Sequence, residues 1–287
     1  MTTAPAAPLA PRLPNTRRPI SGDLIGRYLL IGLVFAYVGG LVLAPIVSLL
    51  MGAFAKGPAP VAAALSAPEV ARAFGLTLRI AVTCVVVHGL FGTAVAWVLV
   101  RGGRRLRWRW LLNGLIDLPF AVSAVVVGYM LLLLFGRNGW LNPVLEPLGL
   151  RVAFAVPGIV LATLFVTLPF MVRELMPVLE AFGVEQEQAA ATLGASGWQT
   201  FWLVTFPALR WGFLYGITLT FARALGEFGA VLVIGGGVQG STETATLFIY
   251  RALDERDTIG AYSVALALGA MSLLLVSGID LIRGKRR

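Results

Sequence analysis

Six long, nearly uncharged apolar runs constrain what this chain can fold into: residues 27–51, 77–100, 112–135, 156–176, 208–235 and 259–282. Each is about as long as the roughly 20-residue helix that crosses the hydrocarbon core of a bilayer. The runs are continuous rather than alternating, which excludes a membrane barrel of strands. Hydrophobic residues make up 58% of the 287 and charged residues only 13%, more apolar surface than a soluble domain of this size can bury. The expected class is an all-α integral membrane protein with six transmembrane helices.

The formal net charge of +9 sits mostly in short loops and tails. That placement fits anionic lipid and membrane orientation, not nucleic acid. Arg12, Arg17, Arg18 and Arg27 precede or open the first run; Arg101, Arg104, Arg105, Arg107 and Arg109 follow the second; Arg283, Lys285, Arg286 and Arg287 close the chain. The alternate loops are sparser in cations, and the last offsets Arg251 and Arg256 with Glu243, Asp254, Glu255 and Asp257. The positive-inside rule therefore puts both termini and residues 177–207 in the cytoplasm. The expected organisation is a disordered cytoplasmic tail over 1–26, a first transmembrane helix and periplasmic loop over 27–72, a core over 73–283, and a basic cytoplasmic tail over 284–287. The first residues lack the apolar core of a signal peptide. No duplicated half and no inverted pair of broken spans is visible, which argues against a one-chain secondary transporter and for an obligate partner chain.

Residues 177–207 read PVLEAFGVEQEQAAATLGASGWQTFWLVTFP. Pro177 is expected to break the fourth span. A short helix from Glu180 to Leu193 would then be ended or bent by Gly194, since glycine tolerates left-handed backbone angles. A second short helix, Trp198 to Phe206, leads to Pro207 and the fifth span. Ala189, Ala190 and Ala191 give a smooth surface that another protein's cleft can approach. The alternative, a helix lying on lipid, is weakened by Glu180, Glu185 and Glu187, which anionic lipid repels.

Charges within the runs are few, and such charges normally face a partner or a water-filled cavity. Arg223 and Glu227 stand four apart on one helical face. They read as a mutual ion pair or as a bias of a translocation path toward an anion, and the two are compatible. Asp117 precedes Pro119 near the start of the third span, where it would cap the helix or pair with an arginine of the second loop, with a gate as the third possibility. His88 reads as a packed, hydrogen-bonded core residue, because no carboxylate lies within a helical turn of it. Gly89 and Gly92 suit close helix contacts. The single cysteine, Cys84, forms no internal disulfide, and metal-ligand spacing is absent. The glycines at 235–237 are not followed by the Lys and Ser/Thr of a phosphate loop, so no nucleotide site is expected here. An intramembrane enzyme would need convergent acid, base or metal ligands that one His, one Cys and separated carboxylates do not supply.

Ala189, Ala190, Gly194, Val204 and Pro207 have the spacing of the EAA loop of ABC importer permeases, with Gln188 where that loop usually has Glu and Phe206 where it has Leu. Further stretches resemble the CysW-type permease subunits of bacterial sulfate/thiosulfate importers: IDLPFAVSAVVVG (116–128), FGRNGW (135–140), PGIVLATLFVTLPFMVRELMPVLE (157–180), LGASGWQTFWLVT (193–205) and ARALGEFGAV (222–231). GEFGAV leans toward CysW rather than the sister CysT subunit. The resemblance runs from about residue 27 to 235, and VQGSTETATLFIYRALDERD (238–257) departs from it. The resemblance implies a type I ABC importer permease fold in the bacterial inner membrane, without catalysis, cofactor or metal on this chain. ATP and Mg would bind two copies of a CysA-like ATPase. A CysT-like sister permease and a sulfate-binding protein, periplasmic or lipid-anchored, would complete the assembly. The loop with Gln188, Ala189, Ala190, Gly194, Val204 and Pro207 would dock on the ATPase, Glu187 or Glu185 supplying the carboxylate that Gln188 lacks. Arg223, Glu227 and Asp117 are the candidates for the translocation path. A molybdate or tungstate permease on a related scaffold is the alternative, followed by a proton-coupled secondary transporter needing no ATPase.

Overall fold

A computed structural model describes residues 21–102 and 108–284, and every regular element among them is a helix. Most of the expected tail over 1–26, the loop arginines Arg104, Arg105 and Arg107, and residues 285–287 lie outside the described residues. The chain divides into two units, 1–49 and 50–287. The first holds most of α1 (Ser21–Ala53), of which Gly26–Ala53 is long and apolar enough to cross a membrane.

In the second unit, α2 (Pro58–Ser66) leads to α3 (Pro68–Val87) and α4 (Thr93–Arg101), which a π turn at His88–Gly92 joins into one apolar span. A short α7 (Asn142–Leu145) precedes the central helix, α8 (Val156–Phe182), which packs on α3, α4, α5 (Arg109–Ala121) and α11 (Phe206–Leu225). Its Ile159, Met171, Val172, Leu175 and Leu179 are fully buried. Thr163 and Thr167 donate back to the carbonyls of Ile159 and Thr163 at 2.9 and 2.7 Å, which lets two hydroxyls sit in an apolar core with their hydrogen bonds made. A Cβ at Gly92 would lie 3.0 Å from Met171 Cγ, and one at Gly212 2.9 Å from Val178 Cγ2, so glycine sets the approach of neighbouring helices to α8. α8 runs unbroken through Pro169 and Pro177, so the expected break of the fourth span at Pro177 is corrected. Neighbouring helices pack around it where proline has removed a backbone bond.

The third and fifth spans are not continuous as the sequence suggests. α5 (Arg109–Ala121) and α6 (Ala124–Phe135) meet at 113°. Pro119 weakens the end of α5, and Val122 and Ser123 are extended, the Ser123 carbonyl accepting from Val127 at 3.1 Å to start the next helix. The segment from Gly197 through α11 (Phe206–Leu225) meets α12 (Gly229–Gly235) at 57°. The two short second halves, α6 and α12, pack on each other. A Cβ at Gly128 of α6 would lie 2.9 Å from the Ala230 carbonyl oxygen, so only glycine admits this contact. The glycines at 235–237 end α12, with Gly236 and Gly237 at φ of +68° and +61°. Among the described residues, four helices are long and apolar enough to cross a membrane, and up to six spans result if each bent pair counts as one.

α13 (Ala245–Asp254) and α14 (Thr258–Gly284) complete the unit. α13 is tied to α3 where Thr77 accepts from the Ala245 amide at 2.9 Å. Arg251 gathers its neighbourhood, pairing with Glu243 at 2.6 Å, Glu255 at 2.8 Å and Glu69 at 3.4 Å. The bond to Glu243 raises its pKa further, so the guanidinium is charged at any working pH.

Candidate functional site

The turn between the fourth and fifth spans is built on two glycines. α8 ends at Phe182, and Gly183 at φ +70° reverses the chain into α9 (Glu185–Thr192). Gly194, at φ +87°, ends α9, as the sequence predicts. The amides of Gly194 and Ala195 donate to the Ala191 and Ala190 carbonyls at 3.0 and 3.1 Å, a pattern open to a left-handed residue. Gln188, Ala189, Gly194 and Pro207 are exposed, and Ala190 and Val204 are half-buried. Leu193, Trp198 and Leu203 add large exposed apolar side chains on the same segment.

Ser196 opens the next helix with a capping box: the Gln199 amide donates to Ser196 Oγ at 3.3 Å, and the Ser196 amide to Gln199 Oε1 at 2.8 Å. That short helix, α10 (Gly197–Thr200), passes through a π turn at Phe201–Thr205 directly into α11. The separate helix expected from Trp198 to Phe206 is therefore corrected. Pro207 lies in the first turn of α11, where its missing N–H coincides with the wider hydrogen-bond spacing of the π turn.

A half-buried carboxylate fixes this turn to the bundle. Glu187 Oε2 takes Arg101 Nε at 2.9 Å, and Oε1 takes Arg101 Nη2 at 3.1 Å and the Thr205 hydroxyl at 2.8 Å. The same guanidinium donates to the carbonyls of Gly183 at 2.6 Å and Leu179 at 3.2 Å. The Arg101 and Glu187 side chains are only 10% and 16% exposed. One arginine at the end of α4 thus ties together the end of α8, α9 and the π turn. Glu187 faces inward, which corrects the expectation that it could serve a partner in place of Gln188; Glu185 is exposed. Beside this node an open cavity of about 220 Å³ is lined by Trp97, Glu187, Ala191, Ala195, Gly197 and Phe201.

Two pairs of opposite charges stand within the spans. Glu227 lies in the break between α11 and α12, not on a continuous helix. Its Oε1 accepts from the Ala230 amide at 3.0 Å and so caps α12, while Arg223 Nη2 lies 2.7 Å from Oε2. The mutual ion pair is present, with the Glu227 side chain 1% exposed. A water-sized cavity lies against it, lined by Thr77, Thr163, Glu227 and Thr244 among others. Asp117 lies well inside α5 and does not cap it, and among the described residues it meets no second-loop arginine, which corrects the expected cap. It pairs with Arg173 of α8: Nε donates to Oδ1 at 2.7 Å and Nη2 to Oδ2. Sequence reasoning passed over Arg173, although a single arginine inside an apolar run is itself a signal. His88 is buried, its Nε2 3.0 Å from both the Leu164 carbonyl and Thr167 Oγ1. A carbonyl only accepts, so Nε2 carries the proton, and His88 is the packed residue its surroundings predict.

Residues 89–284 match the family described as binding-protein-dependent transport system inner membrane component. The sulfate transport system permease protein CysW of Synechococcus elongatus is 44% identical over 264 residues, covering 91% of this chain and 92% of the relative. The sulfate transport system permease protein CysT of Escherichia coli is 37% identical over 271 residues, covering 94% and 96%. Among solved structures, a chain of a bacterial alginate ABC transporter, crystallised with its alginate pentasaccharide-bound periplasmic protein, has a TM-score of 0.74 at 17% identity, covering 91% of this chain and 96% of that one. This last likeness is one of fold.

Proposed function

This chain belongs to the binding-protein-dependent transport system inner membrane component family, and we propose that it is the CysW-like permease subunit of an ATP-driven sulfate importer. The observation that carries this reading is 44% identity to a sulfate permease over nine-tenths of both chains. Six spans with both termini cytoplasmic follow from the apolar runs and the basic loops. The core over 73–283 forms half of the translocation path and a CysT-like sister the other half, consistent with the likeness to both kinds of relative. A binding protein delivers sulfate at the outer face.

The turn over 177–207 is the coupling loop. Ala189, Ala190 and Gly194 are small residues that an ATPase groove can approach closely, Gln188 adds an uncharged polar side chain, and Leu193 and Trp198 are apolar contacts. Val204 and Pro207 set the π turn that carries the loop into the fifth span. Glu185, exposed at the start of α9, supplies the negative charge at the docking face. Two partner ATPases hold ATP and Mg and perform the hydrolysis; nucleotide drives the switch because it binds one arrangement of the assembly better than the other. Asp117, Arg223 and Glu227 lie along the path. Arg223 contributes positive potential, and Glu227 holds the bend between α11 and α12. Deleting this chain from its own cell should abolish ATP-dependent uptake of radiolabelled sulfate, and re-expression should restore it. Undiminished sulfate uptake with loss of molybdate uptake would replace the cargo.

A further inference from the structure

We propose that Arg173 is the side chain that receives the tetrahedral oxyanion at the cytoplasmic end of its path through the membrane, with Asp117 as the counterion it holds between passages. The proposal rests on the importer reading above. Its first support is depth. Arg173 lies ten residues before Gly183, where α8 has ended, and Asp117 lies eight residues after Arg109, where α5 begins. At about 1.5 Å per residue these are about 15 and 12 Å from the helix ends. Arg109 and Glu180 meet at 3.4 Å, so the two ends are level with each other. The apolar runs end at 176 and begin at 112, so Arg173 and Asp117 stand three and five residues, about 5 and 8 Å, inside the cytoplasmic edge of the hydrocarbon core.

The second support is exposure. The Arg173 and Asp117 side chains are 35% and 47% exposed on this chain, against 1% for Glu227. A half-exposed ion pair at that depth is costly against lipid tails, so its face is turned to water or to a second permease chain. Phe120 and Phe170, one turn away on α5 and α8, meet edge to face at 5.4 Å and give the pair an apolar border.

The third support is chemistry. Nε and Nη2 of Arg173 make two parallel bonds to the two oxygens of Asp117. That fork accepts two oxygens of a sulfate with the same geometry, and it cannot lose its charge. At rest the carboxylate spares the guanidinium an unpaired state. An arriving dianion repels the carboxylate and takes its place. Arg223 is less suited to the exchange, because its partner Glu227 is buried and also engaged in the cap of α12.

The test uses the complete assembly of this chain, its sister permease, the ATPase and the binding protein, reconstituted in vesicles and assayed with radiolabelled sulfate and molybdate. R173K keeps the charge and loses the fork, and is expected to lower oxyanion uptake roughly tenfold while the assembly still forms. The exchange D117R/R173D restores an ion pair with the fork on the wrong helix; it is expected to assemble and to leave uptake low. D117N frees the guanidinium, and the permease–ATPase complex without binding protein should retain roughly threefold more sulfate than the wild type. Wild-type uptake in D117R/R173D, or unchanged uptake in R173K, would overturn the proposal by showing a pair that only holds α5 to α8. If the wild type carries molybdate in place of sulfate, the cargo reading fails while the same variant pattern on molybdate supports Arg173. If it carries neither oxyanion, both fall.

Discussion

Glu187 and Arg101 stand 86 positions apart, and their bond decides which way the polar helix α9 faces. Four of its first residues, Glu185, Gln186, Glu187 and Gln188, are alike in polarity, so nothing local says which one turns inward. The choice is made by a guanidinium that also needs the Leu179 and Gly183 carbonyls. Removing one partner of a buried charged pair typically costs about 3–5 kcal/mol, because the other is left without its counterion. E187A should therefore lower the unfolding temperature of the detergent-purified chain, and in the assembled transporter it should leave ATP hydrolysis running while transport falls. The exchange R101E/E187R should not rescue coupling, since glutamate at 101 cannot donate to the two carbonyls; full rescue would reduce the node to a simple ion pair. At this scale the sequence showed which residues were charged, including the Arg223–Glu227 pair, but not the partners of Asp117 and Arg173, which 56 residues separate.

At the scale of elements, apolar length was readable and continuity was not. The third and fifth runs are long and apolar enough to read as single spans, and their breaks come from a few backbone details: Pro119 near the end of α5, and a glutamate between Gly226 and Gly229 that caps α12 through its own side chain. Pro177, which reads as a break, and Pro207, before which a short helix is expected to end, are both accommodated inside helices, the second beside a π turn. Gly194 was legible because its backbone demand is local. An L-residue in the left-handed region costs about 1–2 kcal/mol, and proline cannot adopt that angle and would also lose the amide bond to Ala191. Gly194→Pro should insert at wild-type levels and abolish substrate-stimulated ATP hydrolysis; a variant that is stimulated normally would remove the coupling assignment from this turn.

At the scale of the whole molecule, six apolar runs and a handful of motifs point to an ABC permease, and the family match over residues 89–284 agrees. What one chain's sequence does not carry is the surface it shares with others, because burial by a partner leaves no periodicity of its own. The half-exposed Asp117–Arg173 pair and the exposed Leu193 and Trp198 are the places where the single chain looks unfinished. Completing it is also the most direct test of the account. ATP hydrolysis should be measured in vesicles that hold this chain, its sister permease, the ATPase and the binding protein, with sulfate and then molybdate added. Sulfate should stimulate hydrolysis, and the stimulation should disappear in Gly194→Pro. An assembled complex that hydrolyses ATP at a rate indifferent to either anion would contradict it.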